Sequence, residues 1–199
     1  MISFALFSAL ATFYFTMFFT PGPNNAMLTA SGMKFGFIRT LPHLIGISLG
    51  HIFQIGLTCF GLANIFLIYP EVQLYMKILC FLYLIYLSWK MIGSFSLMQK
   101  ETGRPLRFYE ASLFQFINPK AWSIAVTVAS GFFPSEENIF IGVAFVTITA
   151  AVINLPTCSL WALFGSGLRK FVNNEKTKKI IEYLLAVLLV LTGLFILFK

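Results

Sequence analysis

Several kinds of chemistry are excluded by what this chain lacks. Its 199 residues include no aspartate, and Asp and Glu together number only 7. Enzymes that move protons or hold hard metal ions through carboxylates need such groups in clusters. The chain also has no Walker-type phosphate loop. We therefore expect neither an enzyme nor an ATP-driven pump.

The chain also has few residues that could support metal binding or thiol chemistry. The 3 cysteines lie in separate apolar stretches and form no Cys-x-x-Cys pair. The 2 histidines do not make a metal site, and no His-rich loop occurs. We expect no bound metal and no cofactor, and we interpret Cys59, Cys80 and Cys158 as buried thiols.

Charge is scarce along most of the chain. Charged residues make up 11% and hydrophobic residues 58%, whereas a soluble domain carries about 25% charged residues. Long apolar runs of this kind predict an all-α polytopic protein surrounded by the lipid bilayer. Six membrane passes are predicted, each with the roughly 20 residues that a spanning helix needs. They cover residues 2–32, 41–67, 71–92, 109–132, 138–165 and 178–198.

The few charges indicate how these passes are oriented. Lysine and arginine gather after passes one, three and five, whereas the opposite loops carry Glu71, Glu136 and Glu137. By the positive-inside rule, both termini are expected to face outward and the three basic loops to face the cytoplasm. Because the basic clusters adjoin apolar passes, the net charge of +7 reflects topology. We expect no nucleic-acid partner.

The most informative stretch is Thr20-Pro21-Gly22-Pro23-Asn24-Asn25, which interrupts the first pass. Each proline removes a backbone N–H and blocks a helical hydrogen bond, so the carbonyls of Met17 and Phe19 are expected to lack partners. Inside a bilayer such groups are tolerated only beside protein or a water-filled cavity. We expect Asn24 to cap the restarted helix, whose free N–H groups at residues 25–27 form an anion site.

A second proline break, Asn118-Pro119-Lys120, occupies the matching place in the second half. Each half then has a broken pass followed by two more passes. Three is an odd number, so the second copy must be inverted, as in secondary transporters whose substrate site lies between the broken helices. We predict one membrane domain over residues 1–199, with repeats at about 1–93 and 109–199 and a basic cytoplasmic loop at 94–108.

These motifs resemble a known family. Pro21-Gly22-Pro23-Asn24, the later glycines and Asn118-Pro119-Lys120 are similar, in order and over essentially the whole chain, to the lysine exporter/RhtB (LysE/RhtB) family of amino-acid efflux permeases. The resemblance implies a bacterial inner-membrane carrier that exports an amino acid with the proton-motive force. Family members that export basic amino acids tend to carry an acidic residue in the second pass. This chain has Leu49-Gly50-His51 there, so neutral amino acids or close derivatives are favoured.

The two breaks supply most candidates for substrate binding. The helix starts and the Lys120 ammonium offer donors to a carboxylate, and the carbonyls of Phe19 and Gln115 offer acceptors to an ammonium. Alternatively, Lys120 is structural and pairs toward Glu110. Asn154, beside a proline in pass five, either lines the path or allows a bend. The candidates are Pro21, Gly22, Pro23, Asn24, Asn25, Asn118, Pro119, Lys120, Trp122 and Asn154.

The second pass adds a polar and small-residue stripe. His43, His51 and Lys120 are candidates for proton coupling, although each histidine is also suited to an interhelical hydrogen bond. Gly46 and Gly50 predict close helix packing, either within the chain or across a homodimer. A different class of function stays open: a membrane subunit without transport activity, or a thiol or electron relay that depends on the cysteines.

Overall fold

The computed structural model describes residues 2–62, 68–69, 71–92, 103–134, 137–171 and 175–198, and all regular elements within them are helices. Most of the predicted 94–108 loop, and Glu136 in the opposite loop, lie outside the described residues. The helices are α1 Phe4–Phe19, α2 Pro23–Phe35, α3 Phe37–Leu57 with a π-helical turn Thr58–Leu62, α4 Glu71–Met91, α5 Phe108–Phe114, α6 Pro119–Gly131, α7 Ile139–Phe171 and α8 Glu175–Phe198.

The first apolar run is broken where the prolines stand. α1 ends at Phe19 because Thr20, the residue before Pro21, adopts an extended conformation with ψ of 137°. α2 begins at Pro23, and its axis is bent by 54° from that of α1. The second break is present as well, because α5 ends at Phe114 and α6 begins at Pro119.

Within the described residues, two helices are long and apolar enough to cross a bilayer, namely Phe37–Gly61 and Ile139–Arg169. The bent pair α1–α2 makes a third if it counts as one span, and Leu74–Trp89 is a shorter apolar helix. An all-α membrane protein therefore fits the structure, whereas the count of six passes stays a prediction.

Glycines allow the helices to approach closely at two places. Gly32 of α2 lies against α7, where a Cβ would overlap the Ala162 carbonyl. Gly165 of α7 lies against α2, where a Cβ would overlap the Thr29 carbonyl. On α3, a Cβ at Gly46 would overlap the Phe108 carbonyl of α5.

Gly50 of α3 also lies against α5, where a Cβ would come within 2.6 Å of the Ser112 Cα. The Ser112 hydroxyl donates a hydrogen bond of 2.9 Å to the carbonyl of Gly46. The face of α3 that carries both glycines is thus occupied by a helix of the same chain.

The helices pair in a pattern that is similar in the two halves. The broken pair α1–α2 packs against α7, and the broken pair α5–α6 packs against α3. α4 packs against α8, while α2 touches α8 and α6 touches α4. A core cluster of α1, α3, α6 and α7 surrounds Tyr14, whose hydroxyl donates to the Val146 carbonyl at 3.1 Å. This packing holds the two breaks next to each other at the centre.

Candidate functional site at the two helix breaks

The end of α1 presents a group of carbonyls that are partly satisfied by side chains. The Thr20 hydroxyl donates to the Met17 carbonyl at 3.1 Å, so the expectation that Met17 lacks a partner is wrong. The side-chain amide of Asn25 donates to the carbonyls of Phe18 and Thr20, both at 2.8 Å. Asn25 thereby ties the end of α1 to the first turn of α2.

The start of α2 has no side-chain cap. Gly22, extended with φ −177° and ψ −179°, is the N-cap residue, so the expectation that Asn24 caps this helix is wrong. Proline is favoured at the first helical position, and Pro23 therefore places the cap one residue earlier. The Ala26 N–H donates to the Gly22 carbonyl at 3.0 Å. The N–H groups expected to be free were those of residues 25–27, so this expectation is wrong for Ala26. The N–H groups ahead of this first helical bond are those of Asn24 and Asn25.

Most backbone groups of the second break form hydrogen bonds within the break itself. The N–H groups of residues 115–118 donate to carbonyls three residues earlier, at 3.1–3.3 Å. The Asn118 side chain then accepts a hydrogen bond from the Lys120 N–H at 3.1 Å and caps α6. This break therefore directs side chains, rather than unpaired backbone groups, toward its neighbour.

A network of amides joins the two breaks. Asn24 and Gln115 exchange two side-chain hydrogen bonds, of 2.8 and 3.2 Å, and the Asn118 amide donates to Asn24 Oδ1 at 3.3 Å. The Gln54 amide donates to the Gln115 carbonyl at 3.0 Å, so that carbonyl is not the unpaired acceptor that the sequence suggested. The side chains of Gln54 and Gln115 were missed as site residues. A glutamine within a predicted apolar pass, as both of these are, is a signal that could have found them, and both side chains are buried.

Lys120 reaches across from the second break to the first. Its ammonium donates to the Thr20 carbonyl at 2.7 Å and to the Pro21 carbonyl at 3.3 Å. The predicted alternative, a pairing with Glu110, is wrong because Glu110 forms an ion pair with Arg104 at 2.6 Å. A cation at the end of α1 is favourable, since the carbonyl end of a helix carries partial negative charge.

A small cavity lies between the breaks. Its volume of about 20 Å³ suffices for one water molecule. Seven of the ten substrate candidates line it, together with Met17, Phe18, His51, Ala121, Ile124 and Cys158; the seven are Gly22, Pro23, Asn24, Asn25, Asn118, Lys120 and Asn154.

The other three candidates lie off this cavity. Pro21 contributes its carbonyl to Lys120. Pro119 and Trp122 face the other side of α6, where they line a separate cavity of about 270 Å³ with Met76 and Lys77 of α4. The Trp122 indole donates to the Phe116 carbonyl at 2.9 Å, so it braces the second break.

The two histidines have different surroundings. His51 lines the small cavity, with Nε2 at 3.3 Å from the Ala121 carbonyl and its ring edge-on to Phe18. His43 is buried away from this cavity, and neither of its ring nitrogens has a hydrogen-bond partner in the described part of the chain. Of the proton-coupling candidates, the structure brings His51 and Lys120 together and leaves His43 apart.

Comparison with known proteins gives the same result as the motifs. A family model described as LysE type translocator matches residues 15–199. The chain belongs to this family. The chain is 29% identical to a cysteine/O-acetylserine efflux protein of Escherichia coli (strain K12). The aligned region of 161 residues covers 80% of this chain and 82% of the relative. A protein of the same description from Salmonella typhi has the same identity and coverage.

No solved structure matches the chain. As a LysE type translocator, it is a membrane transport protein and not an enzyme, and amino-acid efflux is the activity that its relatives support. The family and the apolar helices place it as a multi-pass protein of the bacterial inner membrane.

Proposed function

We propose that this chain exports a neutral amino acid, or a close derivative, from the cytoplasm through the site between the two helix breaks. The two relatives above are named for cysteine and O-acetylserine, whose side chains carry no positive charge. In the described residues, no carboxylate lines the small cavity, so a cationic side chain would have no partner there. Both facts favour a neutral substrate.

The observation that carries the proposal is the opposed polarity of two helix ends at one place. α2 starts with N–H groups ahead of its first helical bond, and α1 ends with carbonyls, with only Thr20 to Gly22 between them. The first is suited to a carboxylate and the second to an ammonium. An amino-acid zwitterion carries both groups on one carbon atom, so a single molecule can contact both helix ends.

The architecture that accompanies this proposal is six passes in two inverted repeats, at about 1–93 and 109–199, with both termini in the periplasm. The pairing of helices supports it. If each helix of the first half is exchanged for its counterpart in the second, the contact of α1 and α2 with α7 becomes that of α5 and α6 with α3. In the same way, the contact between α2 and α8 becomes that between α6 and α4. The contact between α4 and α8 maps onto itself, as expected for related halves.

The small cavity implies that the protein has at least one other conformation. A space for one water molecule does not admit an amino acid, so the helices around the breaks must separate to load it. We propose the proton-motive force as the driving force, with Lys120 and His51 as the groups best placed to couple it. If the protein forms a homodimer, it uses a face other than Gly46 and Gly50, since α5 covers these.

Transport in proteoliposomes that contain only the purified chain tests this function. Labelled cysteine kept reduced, O-acetylserine and lysine would be compared with and without an imposed pH gradient. We expect gradient-dependent flux of a neutral substrate, and loss of that flux in Asn24→Ala. Thr12→Ala, exposed on α1 and away from the break, is the matched control and should transport normally.

Two results would contradict the proposal. Absence of flux for every substrate, from protein that is folded and inserted, would favour a membrane subunit without transport activity. Faster flux of lysine than of the neutral compounds would overturn the assignment of substrate class.

A further inference from the structure

We propose that the Lys120 ammonium and the substrate ammonium occupy the same carbonyls of Thr20 and Pro21 in turn, and that this exchange couples export to proton entry. The inference deepens the proposed function and rests on it. In this conformation Lys120 holds the position that we assign to the amino group of the substrate.

The geometry of the contact carries the inference. The Lys120 ammonium lies 2.7 Å from the Thr20 carbonyl and 3.3 Å from the Pro21 carbonyl, and these are its only hydrogen bonds in the described part of the chain. The lysine belongs to α6 at one break, whereas the carbonyls belong to the other break. A primary ammonium on a flexible stem has the same donors as the ammonium of an amino acid.

Gly22 gives the lysine its path to these carbonyls. A Cβ at this position would lie 2.9 Å from Lys120 Cδ and 3.0 Å from Nζ, so the lysine stem lies directly over the glycine. The extended backbone of Gly22 is accessible to any residue, which means that its lack of a side chain, rather than its conformation, matters here.

Two ammonium groups cannot share these carbonyls, because they would overlap and repel each other. The titratable groups that line the cavity around Lys120 are His51 of α3 and Cys158 of α7, and no carboxylate among the described residues compensates a second positive charge. Binding of the substrate ammonium therefore requires Lys120 to leave the carbonyls, and loss of its proton removes the charge that holds it there.

The cycle balances without further reactants. On the cytoplasmic side the Lys120 ammonium releases one proton to water, and the substrate ammonium takes the carbonyls. On the periplasmic side the substrate leaves, and the neutral amine of Lys120 takes one proton from water and returns to the carbonyls. Each cycle moves one zwitterion outward and one proton inward, with no covalent bond made or broken.

The test separates coupling from substrate movement. Purified protein in proteoliposomes would be assayed for accumulation of a labelled neutral amino acid driven by a pH gradient, and for exchange of labelled against unlabelled substrate without a gradient. Lys120→Met keeps the length of the stem and removes the charge. We expect its gradient-driven accumulation to fall by about tenfold or more, as for loss of a hydrogen-bonded charge, while exchange continues.

Two further variants sharpen the test. Lys120→Arg carries a charge that cannot be removed, and we expect it to block accumulation and exchange together. Gly22→Ala keeps the lysine but places a methyl group against its stem, and we expect accumulation to fall by a larger factor than exchange. If Lys120→Met does not fold, Gly22→Ala still tests the inference, because unchanged accumulation in Gly22→Ala would refute it.

Distinct outcomes overturn distinct claims. Gradient-driven accumulation that survives in Lys120→Met refutes the exchange of ammonium groups. Loss of both activities in folded Lys120→Met also refutes it and indicates that Lys120 binds the substrate directly, most simply through the carboxylate. Absence of both activities in the unmodified protein instead refutes the proposed transport function itself.

Discussion

The two helix breaks are similar in sequence but differ in how they satisfy their backbones. At the first break, α2 begins after Gly22 without a side-chain cap, and the carbonyls at the end of α1 receive donors from Asn25 and Lys120. At the second break, the Asn118 side chain caps α6 and the connecting turn forms its own hydrogen bonds.

This difference indicates a division of roles between the halves. The first break offers backbone groups of both polarities, whereas the second pairs most of its backbone locally and extends Gln115, Asn118 and Lys120 toward the first. A proline break alone is therefore not a binding site, because its polar groups can be taken up locally. What distinguishes the first break is that its carbonyls accept from a charged group of the other half, the Lys120 ammonium.

The largest effect is expected from removing the link between the breaks. Gln115→Ala takes away both hydrogen bonds to Asn24, whose half-buried side chain then keeps only the bond from Asn118, and leaving its amide N–H unpaired costs about 1–3 kcal/mol. We expect transport to fall by about tenfold or more, measured as initial flux in proteoliposomes. Ser130→Ala, exposed on α6, is the control. Normal transport by Gln115→Ala would mean that the breaks act independently.

The close helix contacts of the two halves should respond alike to an added methyl group. Gly165→Ala places it against the Thr29 carbonyl and Gly50→Ala against Ser112, and overpacking of this kind costs about 1–3 kcal/mol. We expect both to lower the thermal unfolding temperature of the protein in detergent. Gly167→Ala, with nothing within 4 Å of the new atom, is the control on the same helix. Melting of all three variants at the same temperature would contradict these contacts.

A smaller effect is expected at the cap of the second break. Asn118→Ala removes the acceptor for the Lys120 N–H, at a cost of about 1 kcal/mol. Asn118→Ser restores a cap but not the contact with Asn24, so we expect recovered stability with impaired transport. Thermal unfolding and flux, measured on both variants, separate the two roles. Full recovery of transport in Asn118→Ser would show that the cap is the only role of this residue.

The smallest effect is expected from the cysteines, none of which lies in a break, although Cys158 lines the small cavity from α7. Cys59, Cys80 and Cys158 are free thiols on three different elements. We expect the triple replacement by alanine to keep most of the flux, with or without a reductant. Abolished activity in this variant, from protein that is inserted and folded, would support the thiol relay.

Features that depend on local signals could be predicted from the sequence. The apolar runs and the paired prolines indicated membrane helices and the positions of both breaks, because proline acts on its own backbone wherever it stands. The cap of α2 was also available locally. A proline at the first helical position makes the preceding residue the cap, which assigns Gly22 and Asn118 correctly.

Partners that come from distant parts of the chain could not be predicted. The contact of Lys120 with Thr20 spans 100 residues, and the pair of Asn24 and Gln115 spans 91. No pattern within either segment specifies that the two breaks meet. The local sequence offers Glu110 as a partner for Lys120, whereas the packing of the helices brings the Thr20 carbonyl to it. The same reason explains why Trp122, close to the break in sequence, faces a different cavity.

The central claim is that one site recognises both charged groups of an amino acid. The most direct measurement is inhibition of transport of a labelled neutral amino acid by three unlabelled compounds: the amino acid, its decarboxylated amine, and the acid that lacks the amino group. Because a hydrogen bond to a charged group contributes about 1.5–3 kcal/mol, the amine and the acid should each inhibit at least about tenfold more weakly than the amino acid. Equal inhibition by the amine, or by the acid, would contradict a site that holds both ends of the zwitterion.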